Sequence, residues 1–395
     1  MRQRKGSFEM GHAGRLARKK SLVALTVGLL IAIGALAWPF TKAHLQAVAI
    51  LQLVSGQKVP WIISKLVTMP VRTEEVNFAT GAGVVRGRLY LPDGQPGAPG
   101  LVVLHGVHHL GIEEPRLVNF ARAMASCGLQ VLTPELPGIK DYHVDFGSVR
   151  VIEESARWFA GRTSGPVGVL GLSFSGGLAL VAAGNPVYQK DFKFVFAVGS
   201  QDEMTHVATF YLTGKETRPD GTTEWLTPHE YGPLVLEYEH LEDFVPLEDE
   251  EAIRPVLREH LYENRNAEES AEARLNPRQK AEAADLMDSG SAVTKAKLAA
   301  SDVKHAKEME ELSPQGLLPT MTTPVYLLHG QADNIIPAAE TLWMASELQS
   351  EDLKAMLVSP VLSHLDLDAA KPGAWDEWRL VHFFALIMDA AEKKR

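Results

Sequence analysis

Cysteine is almost absent: of 395 residues only Cys127 carries a thiol, which excludes an intramolecular disulfide. Its setting, Phe120-Ala121-Arg122-Ala123-Met124-Ala125-Ser126-Cys127, reads as the buried side of a helix. No cysteine or histidine cluster has the spacing of a structural zinc site. The adjacent His108 and His109 read as a polar pocket rim, so neither metal nor cofactor is expected. The segment 201–320 shows no internal repeat either. Basic charge is outweighed in one block: the net charge is −10, and between Gln201 and Thr320 there are 26 acidic against 12 basic residues, the rest being slightly basic. That acidic block gives a nucleic acid no positive footprint and reads most simply as solvated helical faces.

Long hydrophobic runs are lacking, with one exception. Leu22 to Trp38 is uninterruptedly apolar or small, preceded by Arg2, Arg4, Lys5, Arg15, Arg18, Lys19 and Lys20, with only Glu9 opposing. At about 1.5 Å per residue, Ser21 to Phe40 spans about 30 Å, the thickness of a bilayer core. The expectation is a basic cytoplasmic tail over 1–20 and a single-pass anchor over 21–40. Ala35-Leu36-Ala37 leaves a cleaved signal peptide open. No Arg-Arg pair precedes the run, so a twin-arginine signal is not supported. The positive-inside rule would place the remainder in the periplasm or at the cell exterior. Residues 41–70 contain two amphipathic stretches, 44–54 and 61–67, able to lie on the bilayer or on the folded domain.

From Val71 onward the pattern is that of an α/β protein. Val71 to Phe78 and Val84 to Leu91 alternate around Gly81-Ala82-Gly83, the signature of an antiparallel hairpin at a sheet edge. Short buried-strand runs follow at Leu101–Leu104, Val131–Thr133, Val167–Leu170, Phe194–Val198, Val325–Leu328 and Ala355–Val358. Helical segments at Arg116–Ser126, Ser148–Phe159, Ser175–Ala183, Ala338–Leu348 and Trp375–Ala391 lie between or after them, as in a doubly wound sheet. The pattern divides the chain into core over 71–200, a helical insertion over 201–320 and core again over 321–395. Within the insertion, turns fall at Asn276-Pro277 and Ser313-Pro314, and Glu248-Asp249-Glu250-Glu251 starts a helix.

The chemistry centres on Ser173, in Gly171-Leu172-Ser173-Phe174-Ser175-Gly176-Gly177, between a strand and a helix. A sharp strand-to-helix turn lifts the hydroxyl off the sheet and aims the first helical N–H groups at a developing oxyanion. Small residues two before and two after the serine are a steric demand of that turn, and Ser175 stands where a glycine is usual. A serine needs a histidine base and an orienting carboxylate. Asp333 lies in the loop after the strand Pro324–Leu328, and His364 lies in the loop after the last strand. Asp202 is a second candidate for the acid, and Asp366 a weaker one. The backbone N–H groups of Phe174 and Val107 would form the oxyanion hole. His105 is expected to organise the latter's loop, and His108, His109 and His143 are possible substrate contacts.

With the His105-Gly106 loop, the elbow, Gly330-x-x-Asp333 and the late His364 in this order, the chain from Val71 resembles the α/β-hydrolase superfamily, in particular serine esterase and lipase-like members with a helical cap. The resemblance implies a mostly parallel eight-stranded sheet flanked by helices, with Ser173 as nucleophile, His364 as base and Asp333 as its partner. The serine argues against haloalkane dehalogenases and epoxide hydrolases, which use a carboxylate there. The expected function is a membrane-anchored hydrolase of small-molecule or lipid esters. Peptidase, thioesterase and acyltransferase chemistry use the same triad and stay open. So do an interfacial lipase with an opening cap and a non-catalytic, membrane-tethered binding protein.

Overall fold

The computed structural model describes residues 36–81, 83–163, 165–362 and 373–393. Residues 36–54 form helix α1, followed by α2 (Trp61–Val67). No described helix is long and apolar enough to cross a membrane. The run Leu22–Trp38 lies outside the described residues except for Leu36, Ala37 and Trp38.

The hairpin forms where alternation predicts it: β1 (Val71–Thr80) pairs antiparallel with β2 (Gly83–Pro92), Val71 opposite Pro92 and Thr80 opposite Gly83. Then come β3 (Gly100–Leu104), α3 (Pro115–Ser126), β4 (Gln130–Pro134), α4 (Pro137–Lys140), α5 (Phe146–Thr163), β5 (Val167–Leu172), α6 (Phe174–Gly184) and β6 (Phe192–Val198). A long excursion follows, with α7 (Met204–Thr213), a small hairpin of β7 (Lys215–Thr217) and β8 (Thr223–Trp225), α8 (Tyr231–Glu239), α9 (Leu247–Leu261), α10 (Arg265–Glu272), α11 (Pro277–Leu286), α12 (Ala292–Lys304) and α13 (Ala306–Glu311). The chain returns through β9 (Val325–Gly330), α14 (Ala339–Glu347), β10 (Leu353–Ser359) and α15 (Ala374–Glu392).

Eight strands make one sheet in the order β1-β2-β4-β3-β5-β6-β9-β10. β2 is antiparallel to both its neighbours, and the remaining pairs are parallel. Successive strand side chains point to opposite faces, so a buried parallel strand needs apolar residues at every position. β3 meets that demand: Val102 and Leu104 join the cluster that contains α5, α6 and α14, whereas Leu101 and Val103 join the one under α1, α3 and α15. Parallel strands end at one edge, so the loops after β3, β5, β6, β9 and β10 gather there.

The segment between β6 and β9 is helical as its composition suggests, and two helix starts are legible in it. Glu248, Asp249 and Glu250 occupy the first turn of α9, and Asn276 forms a capping box with Gln279 at the start of α11. The β7–β8 hairpin departs from the all-helical expectation. Its three-residue strands are too short to show alternation, although Pro219-Asp220-Gly221 carries the chemistry of its turn, with Asp220 Oδ1 accepting from Thr222 N at 2.9 Å.

α1 lies on the domain. Ala43, Ala47, Ala49 and Ile50 are buried, Gln46 Nε2 donates to Cys127 O at 2.7 Å, and Asn119 Nδ2 donates to Leu53 O at 3.0 Å. Cys127 is fully buried, and burial pushes its thiol pKa up to about 12. Replacing Ile50 with Ala should lower unfolding stability by about 2–5 kcal/mol in urea titrations. An unchanged midpoint would show that α1 is not part of the folded unit.

Candidate active site

β5 ends at Leu172 and α6 begins at Phe174, so Ser173 alone makes the turn, at φ 56° and ψ −137°. A side chain at positive φ costs about 1–3 kcal/mol and persists where its surroundings over-determine it. Here Ser173 N donates to Val198 O at 2.8 Å, and Ser173 O accepts from Gly176 N at 2.9 Å. A serine before a helix ordinarily caps it, yet the Ser173 hydroxyl makes no capping bond, which leaves the oxygen for chemistry. The turn tolerates no side chain beneath it. A Cβ on Gly171 would stand 2.4 Å from Ser175 O and 2.5 Å from Gly176 Cα, backbone atoms that cannot rotate away. A Cβ on Gly176 would stand 1.9 Å from Ser200 Oγ.

Ser175 has its own task. Its buried hydroxyl donates to His105 O at 2.6 Å and ties the elbow to the loop after β3. His105 is buried and neutral. Its Nδ1 lies 2.8 Å from Gly106 O and must donate there, while Nε2 accepts from Leu136 N at 3.0 Å, and burial pushes its pKa down to about 4. In a trans peptide the N–H points opposite to the oxygen, so holding Gly106 O turns the Val107 N–H the other way. The same loop passes beside the nucleophile: a Cβ on Gly106 would stand 3.5 Å from Ser173 Cβ.

The inserted segment reaches this loop. Tyr231 Oη donates to Val107 O at 2.6 Å, and Tyr142 Oη donates to Leu261 O at 2.9 Å. Tyr142 is fully buried at φ 61°, a second strained position beside the site. His109 stacks on Tyr262 with centroids 4.2 Å apart, and His108 stacks on His109 at 4.6 Å. Burial lowers the pKa of both histidines. His143 lies at the outer side of this aromatic group, edge-on to Tyr238. Neither Tyr142 nor Tyr231 carries a sequence signal that singles it out, because the partner of each lies far along the chain.

Asp333 is buried, and its Oδ1 accepts from Ile335 N at 2.9 Å and Ile336 N at 3.0 Å. Beneath it, His329 is held by Thr341 Oγ1 at 2.7 Å and donates from Nε2 to Ile336 O at 2.9 Å. The inserted segment touches this loop as well, through His229 N to Asn334 O at 2.8 Å. His364 and Asp366 lie outside the described residues. Asp202, in the loop after β6, is fully buried with neither carboxylate oxygen hydrogen-bonded among the described residues. Burial, then Glu340 and Glu347, raise its pKa to about 8. Glu340 Oε2 accepts instead from the backbone N–H groups of Asp202 and Glu203, at 2.9 and 3.0 Å. Burial therefore favours the neutral form of the Asp202 carboxyl. The elbow, the Val107 loop and Asp333 all lie at the C-terminal edge of the sheet.

One group of potential metal ligands stands among the described residues, at His240, Glu242 and His305 in the inserted segment. The two rings stack with centroids 3.6 Å apart and planes 14° from parallel, so no ion lies in the plane of both.

Two outcomes follow. Tyr231→Phe frees the Val107 peptide and should lower kcat about tenfold while changing KM less than twofold, read by steady-state kinetics. Asp202→Asn should preserve activity and raise stability at pH 8. A carboxyl whose folded pKa is raised loses stability as pH climbs from its unfolded value near 4 towards 8, so the gain should vanish at pH 4. Thermal melts at the two pH values check it, and loss of activity would instead make Asp202 the catalytic acid.

No family model matches the chain, and neither does any curated protein. Among solved structures it is similar to a putative lipase from Acinetobacter baumannii AYE (16% identity, TM-score 0.43, covering 80% of this chain and 92% of that one). An esterase from Pyrobaculum calidifontis is similar at 16% identity and TM-score 0.48, with 88% of each chain covered. An acylaminoacyl peptidase from Pyrococcus horikoshii is similar at 13% identity and TM-score 0.43, over 77% of this chain and 39% of that one. The strand order, the single reversed strand and the serine elbow together identify the chain's architecture as the α/β-hydrolase fold.

Proposed function

We propose that the protein is a membrane-anchored serine hydrolase that cleaves carboxylic esters. One observation carries the reading: Ser173 is held in a strained turn between β5 and α6, with its hydroxyl unused by the helix it precedes and the Gly106-Val107 loop alongside. Strained backbone of this kind clusters at working sites, and here it presents a hydroxyl that the helix does not use.

In this mechanism His364 takes the Ser173 proton as the oxygen attacks the ester carbonyl carbon, and Asp333 orients the imidazole. Negative charge gathers on the carbonyl oxygen, where the N–H groups of Phe174 and Val107 receive it. Collapse of the tetrahedral species expels the alcohol, protonated by His364, and leaves an acyl group on Ser173 Oγ. Water, deprotonated by His364, then attacks the acyl carbon and restores the serine. The segment 201–320 acts as the cap: its Tyr231, Tyr262 and His229 touch the loops after β3 and β9, so its helices wall the acyl or alcohol side of the site. The apolar run with its basic flank supports an anchor in which the hydrolase domain faces the periplasm or the cell exterior.

Ser173→Ala should lower ester turnover at least about a thousandfold with the melting temperature retained, measured on a panel of p-nitrophenyl esters of graded acyl length. Full activity in that variant would remove the serine mechanism. Turnover confined to peptide or thioester members of a wider panel would move the assignment to those bonds.

A further inference from the structure

The apolar run leads without a spacer into the folded domain. Ala43 is already buried, so only Leu36 to Lys42 separate the described end of the run from the core, about 10 Å of helix. Over that distance the surface is aromatic. Leu36 is 83% exposed, Phe40 61% and Trp38 43%, and the Phe40 ring lies tilted against His44 with centroids 4.1 Å apart. His44 stacks on Trp378 at 5.4 Å and lies 3.0 Å, Nε2 to Nδ1, from His382, both on α15. Trp375, three residues before Trp378 and on the same helical face, is 70% exposed. Tryptophans left in water beside an apolar run are out of place in an isolated soluble domain, whereas indole rings favour the bilayer–water interface. Exposed Glu377 and Arg379 alternate with them, a composition suited to the headgroup layer rather than the hydrocarbon.

The direction of α15 gives the patch its meaning. Lys193, at the start of β6, bonds Ala391 O near the helix end, so α15 finishes at the sheet edge opposite the elbow. Its first turns, which carry Trp375 and Trp378, therefore sit at the edge shared with Ser173 and Asp333. We infer that Trp38, Phe40, Trp375 and Trp378 form an aromatic collar that seats the domain on the lipid headgroup layer, with the catalytic edge beside the bilayer and open to esters carried in it. The inference rests on the anchored reading above.

The test uses the full chain in phosphatidylcholine vesicles containing a lipid with a photoreactive diazirine in its acyl chain near the headgroup. Flotation after an alkaline wash reports the anchor, and mass spectrometry of the irradiated protein maps lipid adducts. Trp225, 73% exposed on the β7–β8 hairpin, is the internal control for mere exposure. The collar predicts adducts on the peptides holding Phe40 and Trp375 to Trp378 at least about fivefold above the Trp225 peptide. A protein that floats but labels the α15 peptide no more than the Trp225 peptide overturns the collar and leaves the anchor standing. A protein that does not float overturns both. In the Trp375→Ser, Trp378→Ser double variant, the rate on a vesicle-borne long-chain ester relative to a dissolved short ester should fall about tenfold. An unchanged ratio would contradict the catalytic edge facing the bilayer.

Discussion

The whole arrangement depends on the backbone turn at Ser173. A single residue must reverse the chain from β5 into α6 at positive φ, and it is held there by Val198 O from the neighbouring strand and by Gly176 N from the helix. That requirement propagates outward. It leaves no space for a side chain at Gly171 or Gly176, and the loop after β3 passes beside the serine, where a Cβ on Gly106 would stand 3.5 Å from Ser173 Cβ. The strain is affordable because apolar strands buried on both faces clamp the turn from below.

The second organising feature is a set of hydrogen bonds that link the elbow, the Val107 loop and the inserted segment. Ser175 binds His105 O, His105 binds Gly106 O, and Tyr231 binds Val107 O. Two consecutive peptides around the expected oxyanion donor are therefore fixed by different parts of the molecule, one by the core and one by the insertion. Because His105 uses both ring nitrogens on the backbone and is held neutral by burial, the loop geometry does not change through the neutral pH range. The insertion meets the Val107 loop at two points, the Tyr231 hydroxyl on Val107 O and the Tyr262 ring on His109.

Much of this was legible in the residues. Alternation located the β1–β2 hairpin, continuous apolar runs located the parallel strands, and the run of small residues around Ser173 marked the elbow. What escaped was long-range. Ser175 reads as a departure from the usual glycine until its bond to His105 O is seen, and Tyr142, Tyr231 and His329 stand in ordinary local contexts whose partners lie far along the chain. Asp333 and Asp202 both follow strands and both are buried, and only the structure shows how their partners differ: Asp333 accepts two amide donors, Asp202 none among the described residues.

The account turns on whether Ser173 is an activated nucleophile. The most direct measurement is reaction of the full-length protein in detergent with a fluorophosphonate probe, with the adduct mapped by mass spectrometry in the unmodified chain and in His364→Ala. The account predicts a single phosphonyl adduct on Ser173, formed within minutes and lost in the variant. A folded protein that remains unlabelled, or labels equally well without His364, would contradict it.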